Sequence, residues 1–346
     1  MANLNTDGDS NTVGYNVPLA SSYAVKLAAA LGLSLVNQAV NGSMAADRAQ
    51  ANCAFAPVAT DVYLLDVGTN DERKYGANST YLGFYHRCLL ADLLYKACAT
   101  RPNPRDSSFA LTGTWANTLA NNIGKNATAT GAKASRTVSG TAIYISAIMQ
   151  NNGAAGGVAK VTIDGVLAGT IDTNGVGINT VNGLSYAPGV WRFGGLAAGP
   201  HLVEVEVTSS GKLFYLNDIF GNDQPPSPKI FVTNVIRQSA GGYAANGGSD
   251  TNVQTYNAEV AAVVSILQGD GFNVTPIDIW SAVNPATDLQ GDGIHLSAAS
   301  GHPNVEAACY AVMSGPPLPL VYAWPTNHST TLTVTVTAGV ANYVDA

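Results

Sequence analysis

Charge is scarce in this chain. Asp, Glu, Lys and Arg supply 11% of its 346 residues, with 16 basic against 23 acidic side chains and a formal net charge of -7. That balance speaks against a nucleic-acid partner, which requires a basic face. Cysteine is rarer still. Cys53, Cys88, Cys98 and Cys309 are scattered without a Cys-x-x-Cys pair, so neither a zinc site nor a disulfide framework is signalled and buried free thiols are expected. No run of about 18 apolar residues is present for a membrane span. No basic-then-apolar leader opens the chain, so a soluble protein is expected, carried on a virion or exported by a route the sequence does not show.

What is abundant is apolar and small: hydrophobic residues make up 46%, with 36 glycines. A chain of this length and hydrophobicity buries more than one core, and two domains are expected. The neutral composition, rich in Asn and Thr, suits a neutral hydroxyl-rich substrate such as a polysaccharide.

Along the chain, Leu19 to Leu31 is spaced as a helix with Gly32 as its C-cap, and Leu33 to Val40 reads as a buried strand. A helix follows near Met44 to Asn52. Val62 to Val67 is a short, continuous apolar strand of the parallel kind, and Thr80 to Thr100 is helical up to Pro102 and Pro104. Residues 2 to 7 have to lead into Gly8 as the first strand, yet they are poor in β-branched side chains, so that strand is expected to be short or truncated. From about Ser108 to Gly221 the period changes to two. Thr141 to Met149, Ala159 to Asp164, Val166 to Ile171, His201 to Thr208 and Lys212 to Ile219 read as strands separated by Gly- and Asn-rich turns. Alternation of strand and helix then resumes with Lys229 to Ile236, Thr251 to Gln268, Asn273 to Trp280 and Ala298 to Met313. The expected fold is therefore α/β, a flavodoxin-like three-layer domain with a parallel sheet formed by residues 1–104 and 223–314. It is interrupted by an all-β sandwich over 105–222, and residues 315–346 form a linker and β extension.

Four short blocks carry the chemistry: Gly8-Asp9-Ser10, Gly42, Gly68-Thr69-Asn70-Asp71 and Asp292-Gly293-Ile294-His295. In a doubly wound sheet such blocks meet at the carboxyl ends of the strands. Ser10 is the nucleophile and needs a base. Of His86, His201, His295, His302 and His328, only His295 follows an aspartate at a spacing that lets Asp292 hold one ring nitrogen while the other faces Ser10. The backbone N–H groups of Ser10 and Gly42 and the side-chain amide of Asn70 are the candidate oxyanion donors. Asp71 is expected to cap the next segment or brace the Asn70 loop, His302 to be structural, and His86 to be a packing or surface residue. Asp9, Asp292 and His295 are weighed as a metal set and set aside for want of a metal-ligand pattern; no cofactor is expected. No Gly-x-Ser-x-Gly elbow occurs, which disfavours the α/β-hydrolase arrangement.

In combination the four blocks resemble the SGNH, or GDSL-type, hydrolase family, with Asn11 where a leucine often follows the serine. The resemblance implies esterase chemistry with Ser10, Asp292 and His295 catalytic and Ser10, Gly42 and Asn70 as the oxyanion hole. Gly194 to Val205 and Lys212 to Ile219 resemble the closing strands of jelly-roll carbohydrate-binding modules. Trp115, Trp191, Tyr144 and Tyr186 are then candidates for a sugar-stacking face, with core packing as the alternative. Together these imply a serine esterase that removes acetyl groups from a carbohydrate, expected to be a homo-oligomeric bacteriophage tail protein, a trimer, acting on a host surface glycan. The alternatives are a secreted acetylxylan-type esterase, a lipase or thioesterase, and a non-catalytic receptor-binding module.

Overall fold

The computed structural model describes residues 2–117, 124–150, 156–175 and 186–315. The expected linker and β extension lies outside these residues beyond 315, as does His328.

The chain begins with β1 (Asn3–Gly8), α1 (Ser10–Val13), α2 (Tyr23–Leu31), β2 (Ser34–Asn37), α3 (Ala45–Asn52), β3 (Val62–Asp66), α4 (Thr69–Tyr75) and α5 (Ser79–Ala97). Ten strands follow: β4 (Ala110–Thr112), β5 (Ala116–Asn117), β6 (Lys125–Ala127), β7 (Lys133–Ser139), β8 (Ala142–Gln150), β9 (Val158–Ile163), β10 (Val166–Asp172), β11 (Tyr186–Gly194), β12 (Pro200–Val207) and β13 (Phe214–Gly221). The α/β pattern closes with β14 (Lys229–Thr233), α6 (Ala240–Asn246), α7 (Asp250–Gly269), β15 (Val274–Ile277) and α8 (Gly301–Met313).

Strands β2, β1, β3, β14 and β15 lie side by side in that order, and every neighbouring pair is parallel. This is the flavodoxin-like doubly wound order, which opens a crevice at the carboxyl ends of its strands. Leu4, Leu64, Phe231 and Ile277 pack with Tyr23, Leu27, Val305 and Cys309 of α2 and α8 on one face. Tyr63, Leu65 and Val232 pack with α3, α5 and α7 on the other. All four cysteines are buried free thiols.

Two expectations for the sheet are corrected. β1 is a full six-residue strand, buried from Leu4 onward and paired on both sides. Two of its polar residues, Asn5 and Asp7, are buried against partners. Asp7 forms ion pairs with Arg48 of α3 and, at 2.9 Å, with Lys96 of α5, and Lys96 also pairs with Asp92 at 2.5 Å. Asn52 donates to both carboxylates at 2.7 Å, and Asn5 donates to Asp61. Two buried acids thus balance two buried bases, as burial of charge requires. β2, expected as a buried strand over Leu33 to Val40, is a four-residue edge strand whose side chains are mostly exposed.

The inserted strands form two five-stranded antiparallel sheets, β10-β9-β12-β7-β4 and β11-β8-β13-β6-β5. Their facing apolar side chains, among them Val161, Val203, Val205, Ile143, Ile145, Phe214 and Ile219, make one core between them. The second sheet is fused to the α/β part, since Ala142, Tyr144, Met149, Ala187, Val190 and Phe220 join the core of α3, α5 and α7. Arg192 clamps Asp270 at the end of α7 through two bonds of 2.5 and 2.6 Å, and Arg101 pairs with Asp218 at 3.0 Å. No helix of the described residues is long and apolar enough to cross a membrane.

Candidate active site

The first site element is the turn after β1. A Cβ at Gly8 would stand 2.4 Å from Thr12 Oγ1 and 2.5 Å from the Asp66 carbonyl, so only glycine lets α1 fold back this tightly on the sheet. Asp66 fixes the turn from beneath, its carboxylate accepting bonds from Thr12, Tyr23 and Thr233 at 3.1, 3.0 and 3.0 Å. Asp9 caps α1 by accepting the Asn11 N–H at 2.9 Å, and burial, with Asp66 nearby, holds its carboxyl well above the usual range. Ser10 therefore sits in the first turn of a helix, where backbone N–H groups have no intrahelical acceptor.

His295 reaches Ser10 from the far end of the chain. Asp292 Oδ1 accepts the N–H groups of Ile294 and His295 at 3.0 and 3.1 Å, and Oδ2 meets His295 Nδ1 at 2.6 Å. The other ring nitrogen, Nε2, lies 2.9 Å from Ser10 Oγ. Burial pushes the Asp292 carboxyl up, and the bonds from His295 and the two amides outweigh it, leaving the group below its ordinary value. Gly293 permits the loop: its φ is +71°, and a Cβ there would meet Ser239 Oγ at 2.0 Å. Asn11 Oδ1 accepts the Leu296 N–H at 3.0 Å, which ties the serine turn directly to the histidine loop.

Asn70 is the second residue of α4. Its amide donates to the Ser43 carbonyl at 3.0 Å and approaches Asp9 Oδ2 at 3.4 Å. Asp71 braces the neighbouring loop, accepting from Ala45 N and from the Tyr81 hydroxyl, and burial raises its carboxyl to about 7. Gly42 and Asn70 share one cleft of about 250 Å³ with Met44, Arg73, Lys74 and Asn246. The structure thus brings Ser10, Asp292 and His295 into one relay and places Gly42 and Asn70 on a common wall beside it.

The remaining candidates sit elsewhere. Tyr144 is fully buried with its hydroxyl on Asp270, so it has no face to offer a sugar. Trp191 packs between the sandwich and α5, with the Arg87 guanidinium 5.2 Å from its ring centroid. Trp115 is half-buried against the sandwich core, its indole N–H on the Thr112 carbonyl. Neither tryptophan lines the cleft. His302 accepts the Tyr23 N–H through Nδ1 and is depressed to about 4 by burial. His86 bonds Glu259, and His201 bonds Asp164. Among the described residues no group of three or more His, Cys, Asp or Glu is placed to hold a metal.

Two residues were not singled out from the sequence, Tyr15 beside the relay and Arg73 in the cleft. Tyr15 lays its ring against His295, centroids 4.4 Å apart; its place five residues after Ser10 was the available signal. Arg73 directs its guanidinium at Asn70 and Asn246, and nothing in its local sequence separates it from an ordinary helix-terminal arginine.

No family model and no curated protein matches the chain. Solved structures similar to it include a carbohydrate acetylesterase from Sinorhizobium meliloti, at 12% identity and TM-score 0.44, covering 91% of this chain and 99% of that one. A two-domain esterase active on acetylated mannans is similar at 12% identity and TM-score 0.37, covering 63% of this chain and 89% of the other. A family 36 carbohydrate-binding module complexed with calcium and xylotriose is similar at 18% identity and TM-score 0.26, over 35% of this chain and 97% of its own. At this level the chain is similar to carbohydrate acetylesterases over most of its length and to carbohydrate-binding modules over about a third.

Proposed function

We propose that this protein is a serine carboxylic ester hydrolase that removes short acyl groups, acetyl foremost, from a polysaccharide. The observation that carries this reading is the continuous relay Asp292 Oδ2 to His295 Nδ1 at 2.6 Å and His295 Nε2 to Ser10 Oγ at 2.9 Å. Asp292 fixes the tautomer in which Nδ1 carries the proton and Nε2 accepts from Ser10. Ser10 Oγ attacks the ester carbonyl as its proton passes to Nε2. The carbonyl oxygen, now negative, is met by Asn70 and the amides of Ser10 and Gly42. His295 then protonates the departing sugar oxygen as the C–O bond breaks, and water, deprotonated by His295, releases the acyl group from Ser10.

Short-acyl preference is supported by the polar lining of the cleft, to which Asn70, Arg73, Lys74 and Asn246 contribute beside Gly42 and Met44. Carbohydrate as the alcohol rests on the neutral composition and on the fused sandwich. Within this reading, a host surface glycan attacked from a phage tail and an extracellular plant-type polysaccharide are separate substrates for a screen.

The test is release of p-nitrophenol from the acetate and octanoate esters by wild type and Ser10→Ala. Turnover of acetate that falls steeply for octanoate and disappears in Ser10→Ala is expected. Equal, negligible rates for both proteins on these esters and on acetylated polysaccharides would sink the reading.

A further inference from the structure

Resting on the esterase reading, we propose that the glycan carrying the ester is acidic, and that Arg73 and Lys74 bind its anionic group in the cleft beside Asn70. The cleft shares Gly42 and Asn70 with the oxyanion wall and is completed by Met44, Arg73, Lys74 and Asn246. Two of the chain's 16 basic residues therefore line one small cavity in a protein of net charge -7.

The acids nearest Arg73 are bonded to other groups and form no ion pair with it among the described residues, although Asp9 and Glu72 both feel its charge. Asp9 caps α1 through Oδ1 and meets the Asn70 amide at 3.4 Å through Oδ2. Asp71 accepts from Ala45 N and the Tyr81 hydroxyl. Glu72 points to the other side of α4, accepting the Ser249 N–H at 2.9 Å and the Gln238 amide at 3.1 Å. Asp292 is held by His295. Arg73 makes no ion pair among the described residues. It donates instead to two neutral amide oxygens, Asn246 Oδ1 at 2.7 Å and Asn70 Oδ1 at 3.4 Å, which spread its fork toward the cleft. A guanidinium held by neutral acceptors keeps its charge available, and its planar fork matches a carboxylate or phosphate. Lys74, exposed one residue on, adds a second positive charge on a flexible stem. An anionic group seated there lies one hydrogen-bonded residue away from the reacting carbonyl, so charge on the glycan helps to select which ester is cut.

The experiment uses the intact protein with three unesterified polymers as probes: polygalacturonate for carboxylate, poly(glycerol phosphate) for phosphate and dextran as the neutral reference. Each is titrated by calorimetry and as an inhibitor of p-nitrophenyl acetate hydrolysis, for wild type and Lys74→Glu, at low and at 0.3 M salt. Competitive inhibition by one anionic polymer, at least about tenfold tighter than by dextran, is expected; it is weakened by salt and reduced by about tenfold in Lys74→Glu. Whichever anionic polymer binds better identifies the group. Active enzyme with equal responses to all three polymers, or an anion preference untouched by Lys74→Glu, overturns the proposal and leaves the esterase reading standing. Anionic binding lost in Lys74→Glu without any ester turnover supports the site and overturns the esterase reading.

Discussion

Ser10 Oγ and His295 Nε2 are 2.9 Å apart although 285 residues separate them in the chain. The contact is built from both sides. The Gly8 turn and the Asp9 cap fix the serine, the Asp292 turn fixes the imidazole, and the Asn11 to Leu296 bond joins the two loops next to the reacting atoms. Proton transfer between positioned groups depends on that distance being held before substrate arrives.

Asp292→Asn keeps the loop's size but presents an amide where His295 Nδ1–H needs an acceptor, favouring the wrong tautomer. The expected loss in kcat is about 10³- to 10⁴-fold with little change in KM. Steady-state kinetics on p-nitrophenyl acetate decide it, and a loss below tenfold would show that Asp292 does not orient the base.

Asn70→Ala tests the proposed side-chain donor to the oxyanion. A drop of about 100- to 1000-fold in kcat is expected. An unchanged kcat would leave the backbone amides of Ser10 and Gly42 as the whole hole.

Asn11→Leu puts an apolar side chain where the buried Leu296 N–H now finds Asn11 Oδ1 at 3.0 Å. Leaving that donor unpaired costs about 1 to 3 kcal/mol in denaturant unfolding. The same change loosens His295 against Ser10, so kcat falls more than KM rises. A variant as stable and as active as wild type would refute the tie between the loops.

That Ser10, Asp292 and His295 meet was legible because each lies in a short local block that needs only the right strand end beneath it. The parallel order was legible for a similar reason, since β3 and β14 are apolar runs with helices between. β1 was not. Its polar face, Asn5 and Asp7, is buried through Arg48, Lys96 and Asp61, partners 41 to 89 residues distant that no local pattern announces. β2 was overread because Leu33, Leu35 and Val36 suggest burial, whereas the strand lies at the sheet edge. In the insert, β7 and β11 escaped notice. β7 carries Lys133, Ser135, Thr137 and Ser139 on one face and sets Arg136 between Ala134 and Val138 on the other, and β11 contains Pro188 and Gly189, which read as turn residues although they pair with Ile148 and Ala147. Arg73 was invisible for want of any motif; only the fold sets it beside Asn70.

Lys96→Met tests the buried ionic cluster. The ammonium, 1% exposed, is the shared partner of Asp7 and Asp92. Its removal leaves two buried carboxylates facing Arg48 alone, and a loss of about 3 to 5 kcal/mol is expected from urea unfolding. Adding Asp92→Leu to Lys96→Met restores the balance of one acid to one base and should recover part of that loss. Failure to recover any would show that the cluster's stability comes from packing and not from charge pairing.

His302 gives the fold a pH dependence with a definite sign. The ring is buried, accepts the Tyr23 N–H, and is depressed to about 4, against an unfolded value near 6.5. Between those values the unfolded chain binds a proton at this site and the folded one does not, so the stability contributed by His302 is present above pH 6.5 and lost as pH falls toward 4. The full effect is on the order of 3 kcal/mol. Asp71 and Asp218, both raised to about 7 by burial, act in the opposite direction over the same window, so total stability against pH does not isolate the histidine. The difference between wild type and His302→Gln does, because the carboxylate contributions cancel. That difference is expected to favour wild type increasingly as pH rises from 4 to 6.5 and to level off beyond. A difference independent of pH would mean that the folded protein protonates His302 as readily as the unfolded chain does, and that its bond to Tyr23 N is not kept.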